Sequence, residues 1–282
     1  MYHRFNENKY PSTNIQMNVF KSQIDIINNN NIEFYNPKKF EQEFSIPKSK
    51  KKILLTIDDG FVSFYENAWP YLRRMEIPFI LFISTESVGK YGYMTWDQLK
   101  EVENENFAFL GNHSHSHEYL INYSYSDFKK DIDTSINKFK ENIGYNPTFF
   151  SYPFGEYSLK QKKYISKKFK FAFGQHSGVI DLNKDRYELP RFPINEKYGD
   201  LDRFKKLVNF LPLQYKYITP KEKFLDSLNN PPKMNIEFFN DQKNLNKISC
   251  YSNEGDKWNK TNIKLENNKL DIIFSEKFKE RR

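Results

Sequence analysis

Apolar residues in this chain fall into short runs separated by amphipathic stretches, and polar residues gather just after the runs. The runs are residues 53–57, 78–83, 107–110, 148–152, 169–173 and 189–194. Each is too short for a helix and rich in β-branched or aromatic residues, so each predicts a buried strand. Between them lie helical patterns. Residues 14–28 place Ile15, Met17, Val19, Phe20, Ile24, Ile26 and Ile27 roughly on one face. A second helix is expected from Val62 to Met75, with Pro70 as a kink or early stop. Thr95-Trp96-Asp97-Gln98 reads as a capping box opening a helix to Glu103. Ser126 to Ile143 is a long amphipathic helix closed by Gly144, and another is expected near Asp200–Leu211.

Alternating strand and helix predicts an α/β fold, a parallel sheet or barrel whose function collects at the C-terminal ends of the strands. After Pro212 the texture changes to short alternating runs such as Met234–Phe239 and Leu270–Phe274, separated by Asn-rich turns. The expected organisation is one large domain over residues 1–217 and a small β-rich appendage over 218–282.

Composition sharpens this picture. Aromatics make up 17% of the 282 residues, with 27 Phe and 19 Tyr, ample for a packed core. The net charge of +8 is spread over a Lys-rich surface. Its densest run, Pro47-Lys48-Ser49-Lys50-Lys51-Lys52, precedes a strand without any nucleic-acid-binding signature, so no nucleic-acid partner is expected. Cys250 is the only cysteine, which excludes an intrachain disulfide and a four-cysteine zinc site. There is no apolar run of 18 residues and no signal-peptide core at Met1-Tyr2-His3-Arg4-Phe5. Taken as it stands, the chain is expected to be cytoplasmic; an incomplete N-terminus would allow export. Oligomeric state is not readable.

The candidate chemistry is concentrated. Three of five histidines, His113, His115 and His117, lie within five residues directly after the third run. In a helical turn His113 and His117 share a face; in an extended segment all three do. Asp58-Asp59-Gly60 follows the first run. Adjacent carboxylates at a strand end are costly unless a cation or a catalytic task holds them there. Together the two loops carry the donor set of a metal-assisted hydrolase.

These residues also carry a resemblance. Thr56-Ile57-Asp58-Asp59-Gly60 resembles the first motif of the NodB-type polysaccharide deacetylases, usually written with Phe in place of Ile57. His113-Ser114-His115-Ser116-His117 is similar to the second motif, and Ser151-Tyr152-Pro153-Phe154-Gly155 to the third. Tyr2-His3-Arg4 and Leu189-Pro190-Arg191 resemble segments of the branch acting on poly-N-acetylglucosamine-like polymers.

The resemblance implies a distorted (β/α) barrel and a metal-dependent hydrolase that removes N-acetyl groups from N-acetylglucosamine-type residues of a glycan. Asp59, His113 and His117 would hold a divalent ion, zinc foremost, with Co2+, Ni2+ or Mn2+ as alternatives. Asp58 would be the general base, and the Phe154 N–H, beside Tyr152 and Pro153, would face the oxyanion and substrate. Ser114 would brace the loop, leaving His115 a bystander.

Two departures stand out. Ser151 occupies a position where the family often has Arg, a charge that Arg191 is expected to supply. The late Leu-x-x-His motif is absent, which leaves His3 or His176 as the general acid, His3 preferred. Trp96 is expected in the core rather than at a sugar platform. Two other readings are a different metallohydrolase suggested by His113-x-His115 and a non-catalytic, glycan-binding relative.

Overall fold

The computed structural model describes residues 1–44, 46 and 51–279. The basic run therefore lies outside the described residues from Pro47 to Lys50. The chain divides into two compact units, one of residues 1–156 and 161–212, the other of residues 157–160 and 213–282.

The first unit is built on a five-stranded parallel sheet in chain order: Leu55–Ile57, Phe79–Ile83, Ala108–Asn112, Phe149–Ser151 and Phe171–Phe173. Strands covered on both faces read as unbroken apolar runs, and all five residues of Phe79–Ile83 are buried. Their alternation feeds two cores. Phe79, Leu81 and Ile83 pack with Phe20, Ile24, Trp69, Leu99 and Phe139 from the surrounding helices. Ile80 and Phe82 pack with Phe149, Phe171, Phe173 and Leu189.

Both edges of the sheet are extended by single parallel bridges, Tyr2 to Ile57 on one side and Leu189 to Phe173 on the other. The Ile194 N–H then donates to the Met1 carbonyl at 3.0 Å, tying the two edges together. The result is the expected distorted α/β barrel.

Several elements match their sequence signals. Thr95 and Gln98 form the reciprocal capping box of the helix Trp96–Glu103, and Trp96 packs edge-on against Phe139 at 5.8 Å. Ser124 caps the helix Tyr125–Ile143, and Gly144 ends it at φ 90°.

Others differ for physical reasons. Residues 53–57 are not one strand: Lys52–Ile53 pairs with Glu33–Phe34, and only Leu55–Ile57 joins the main sheet. The expected strand over 189–194 does not form. Pro190 and Pro193 have no N–H to give to a ladder, so only Leu189 bridges Phe173. Pro70 does not stop its helix, which runs on from Val62 to Arg74. A π-helical stretch, Phe64–Ala68, lies within it.

The second unit is a five-stranded antiparallel sheet ordered Tyr217–Thr219, Met234–Glu237, Lys269–Ile273, Asn259–Glu266 and Cys250–Ser252. In its register Ile218 lies opposite Ile236, Ile236 opposite Leu270, and Leu270 opposite Leu265, which lines one apolar face. Phe238 and Leu270 are its fully buried hydrophobics.

Candidate metal centre and active site

Three strand ends bring the chemistry together. The strand Leu55–Ile57 delivers Asp58 and Asp59, Ala108–Asn112 delivers the histidine loop, and Phe149–Ser151 delivers Tyr152 to Gly155. The turns are tight. Asp59, Ser114, His117 and Phe154 have φ of 76°, 70°, 55° and 56°. Non-glycine residues in this left-handed region cost about 1–3 kcal/mol each and persist where the surroundings over-determine them. Gly155 lies at φ 74°, where a Cβ would come within 2.4 Å of the Gln175 backbone nitrogen, so glycine is required.

His113 Nε2 and His117 Nε2 lie 3.4 and 3.1 Å from the same oxygen, Asp59 Oδ1. One donor atom from each residue fits within 4.8 Å of the others. Two ligands at about 2.1 Å from a tetrahedral ion stand roughly 3.4 Å apart, so the spacing suits a small divalent ion. His113 Nε2 and Asp59 Oδ1 are also buried without a hydrogen-bond partner. Buried polar atoms seldom go unsatisfied, and two of them facing each other match a cation site. Burial opposes the Asp59 charge, but His113 and His117 outweigh it and hold its pKa well below the usual carboxylate range. Burial likewise opposes the His117 charge, and the facing Asp59 reverses that, raising its pKa.

The histidine loop is braced from behind. The His113 Nδ1–H donates to the Ser151 carbonyl at 2.7 Å, which leaves the Nε2 lone pair facing the cluster. The His117 N–H donates to Ser114 Oγ at 3.1 Å. Asp131, on the helix Tyr125–Ile143, accepts from the backbone N–H groups of His115 and Ser116 at 2.9 and 3.0 Å. Asn112 exchanges hydrogen bonds with Ser135 on the same helix and accepts from the Ser114 N–H. His115 points elsewhere, sharing a hydrogen bond with Thr85.

Asp58 is fully buried beside the triad, with Oδ2 3.8 Å from His113 Nε2. Arg191 grips it with both ends of the guanidinium, Nη1 to Oδ1 at 2.7 Å and Nη2 to Oδ2 at 2.8 Å. The same side chain donates to Ser151 Oγ, Thr56 Oγ1 and the Gly174 carbonyl. Its guanidinium carbon lies 5.5 and 5.9 Å from the ring centroids of Phe82 and Phe173. Burial pushes the Asp58 pKa up, but Arg191 and then His113 overcome it, and the net shift is downward.

The remaining expected residues separate. His3 is half-buried. Burial lowers its pKa against the opposing fields of Asp59 and Asp58, which places it electrostatically within the cluster. His176 is exposed, and its carbonyl accepts from the Arg191 N–H. Of Tyr152, Pro153 and Phe154, the first two are buried, and the Tyr152 hydroxyl donates to the Tyr187 carbonyl. Only Phe154 presents its ring, 5.0 Å from that of His117. Asp131 and Ser135 were not anticipated from sequence.

Residues 45–173 match the family described as polysaccharide deacetylase. Over these residues the chain matches the NodB-type polysaccharide deacetylases. It is 24% identical over 211 residues to a poly-beta-1,6-N-acetyl-D-glucosamine N-deacetylase of Staphylococcus aureus, covering 69% of this chain and 70% of that one. It is 22% identical over 198 residues to the putative polysaccharide deacetylase YxkH of Bacillus subtilis, with the same coverage. In fold it is similar to the Streptococcus pyogenes deacetylase PplD, with TM-score 0.67, 19% identity, and 74% of this chain and 96% of that one aligned. IcaB from Ammonifex degensii gives TM-score 0.63 at 22% identity, with 74% and 95% aligned. Enzymes of this family are hydrolases of amide carbon–nitrogen bonds. Among the described residues no helix is long and apolar enough to cross a membrane.

Proposed function

We propose that this chain removes N-acetyl groups from N-acetylglucosamine-type residues of a polysaccharide or glycan precursor. The observation that carries the reading is the juxtaposition of a buried, hydrogen-bond-deficient Asp59–His113 pair, joined by His117, with an arginine-held carboxylate, Asp58. A divalent cation held by Asp59, His113 and His117, zinc foremost for two imidazoles and a carboxylate, would polarise the acetyl carbonyl and acidify the attacking water.

Each remaining role falls to a residue of the chain. Asp58 stays ionised under Arg191 and accepts the proton of the attacking water as oxygen adds to the acetyl carbon. Its Oδ2 faces the triad and is the accepting oxygen. Arg191 and Ser151 fix the plane of that carboxylate, so little reorganisation accompanies proton transfer. The Phe154 N–H, on its strained turn, is assigned to the developing oxyanion. When the carbon–nitrogen bond breaks, the departing amine needs a proton, and His3 is assigned as donor. Acetate and a free amino sugar leave.

The test is acetate release from β-1,6- and β-1,4-linked N-acetylglucosamine oligomers and an O-acetylated control, with His117→Ala and Asp58→Asn as comparators. Release that requires metal and is lost in both variants supports the reading. An O-acetyl-only activity redirects it to ester hydrolysis. Absence of turnover together with absence of metal binding overturns it in favour of a non-catalytic, glycan-binding relative.

A further inference from the structure

Two aromatic side chains at the mouth of the cluster have no role in the mechanism above. Tyr119 and Phe154 stack face to face, with ring centroids 3.9 Å apart and planes 18° from parallel. Both remain solvent-accessible, at 39% and 37% exposure. Phe154 keeps this position at left-handed backbone geometry, φ 56°, a conformation that costs free energy for a bulky residue. The turn that presents the Phe154 N–H therefore also holds its ring at the surface. The pair is anchored at both ends to the site: Tyr119 follows His117 by two residues, and the Phe154 ring lies 5.0 Å from the His117 imidazole.

We propose that Tyr119, backed by Phe154, is a stacking platform for the pyranose next to the one being deacetylated. This rests on the deacetylase reading. Equatorially substituted pyranoses present flat faces of axial C–H bonds, which pair with aromatic faces as other apolar groups do. Phe154 covers one face of the Tyr119 ring, stiffening it in advance and lowering the entropy lost on binding. Because the platform begins one imidazole away from the proposed metal position, it serves a neighbouring sugar and so selects chains over single residues.

The experiment compares wild type, Tyr119→Ala, Tyr119→Phe and Tyr119→Trp, all metal-loaded, on N-acetylglucosamine and its β-linked tetramer. The tetramer-to-monomer ratio of kcat/KM should fall about three- to tenfold in Tyr119→Ala, through KM, and recover in the Phe and Trp variants. An unchanged ratio, or an equal fall on both substrates, overturns the platform. Tetramer binding followed by affinity electrophoresis separates this from failure of the enzymatic reading. If wild type binds the tetramer without turning it over, the chemistry is wrong, and weaker retention of Tyr119→Ala still supports the platform. Equal retention of Tyr119→Ala and wild type, or no retention of wild type, sinks it.

Discussion

Replacing Arg191 by Met should cost this protein much more than a typical core substitution. Arg191 is 5% exposed and its guanidinium makes two short hydrogen bonds to Asp58, itself fully buried, plus contacts to Ser151, Thr56 and Gly174. Removing one partner of such a pair leaves an uncompensated buried charge, a loss of about 3–5 kcal/mol. For a cooperative unit of roughly 200 residues, each kcal/mol moves Tm by about 2–4 °C, so the loss should be about 6–20 °C. The sign with pH follows from the lowered Asp58 pKa. The pair's contribution is present above the unfolded carboxylate value near 3.9 and disappears as pH falls through the still lower folded value. In Arg191→Met the same carboxyl loses the guanidinium that offsets burial, so it takes up a proton more readily than in wild type, and the wild-type-to-variant gap should be widest near neutral pH and narrow as pH falls. Differential scanning calorimetry of wild type, Arg191→Met, Asp58→Asn and the double variant completes the cycle. The double variant should be more stable than Arg191→Met, because the stranded charge is gone. A Tm loss under about 2 °C, or a double variant less stable than Arg191→Met, refutes the reasoning.

Further outcomes follow from the same geometry. Asp131→Ala should weaken metal affinity about 10–100-fold by freeing the His115 and Ser116 N–H groups, measurable by competition with a chromogenic chelator. Metal at 100 times its Kd should stabilise wild type by about 2.7 kcal/mol, and the same addition should leave the Tm of His117→Ala nearly unmoved. Gly155→Ala should lower stability by about 1–3 kcal/mol in urea titration, since its φ is left-handed and the new Cβ would strike the Gln175 backbone.

The proposed ligand set was legible because its signals are local. Asp58-Asp59-Gly60 and His113 to His117 each follow an apolar run, and strand ends in parallel sheets converge in space. Periodicity alone left open which histidines share a face; the left-handed turns at Ser114 and His117 bring His113 and His117 together and send His115 to Thr85. Asp131 was harder to see, being one acid among Asp127, Asp131 and Asp133. Its signal was positional: it lies on the buried stripe of its helix with Phe128, Ile132, Ser135 and Ile136, where a carboxylate needs a partner. The failed strand at 189–194 had its own warning in two prolines. The Arg191 grip on Asp58 is a contact across 133 residues, which spacing does not encode and only the resemblance of Leu189-Pro190-Arg191 suggested.

Donation to the departing amine yields the last prediction, because the absent late histidine left two candidates. His3 follows Tyr2, whose N–H donates to the Thr56 carbonyl and whose carbonyl accepts from the Asp58 N–H, both at 2.9 Å. That pairing pins His3 beside the end of the strand carrying both aspartates, where it feels the charges of Asp59, Asp58 and Arg191. His176 is exposed, and its carbonyl accepts from the Arg191 N–H. Loss of a positioned proton donor costs about 10²–10⁴ in rate. His3→Gln should therefore lower kcat by at least 10² on an amide substrate while retaining full metal stoichiometry, whereas His176→Gln should change kcat less than threefold. On an acetyl ester with an acidic leaving phenol, which departs without protonation, His3→Gln should lose far less. Equal loss on amide and ester would mean that His3 positions the site rather than donating the proton, and a larger loss in His176→Gln would transfer the role to that loop.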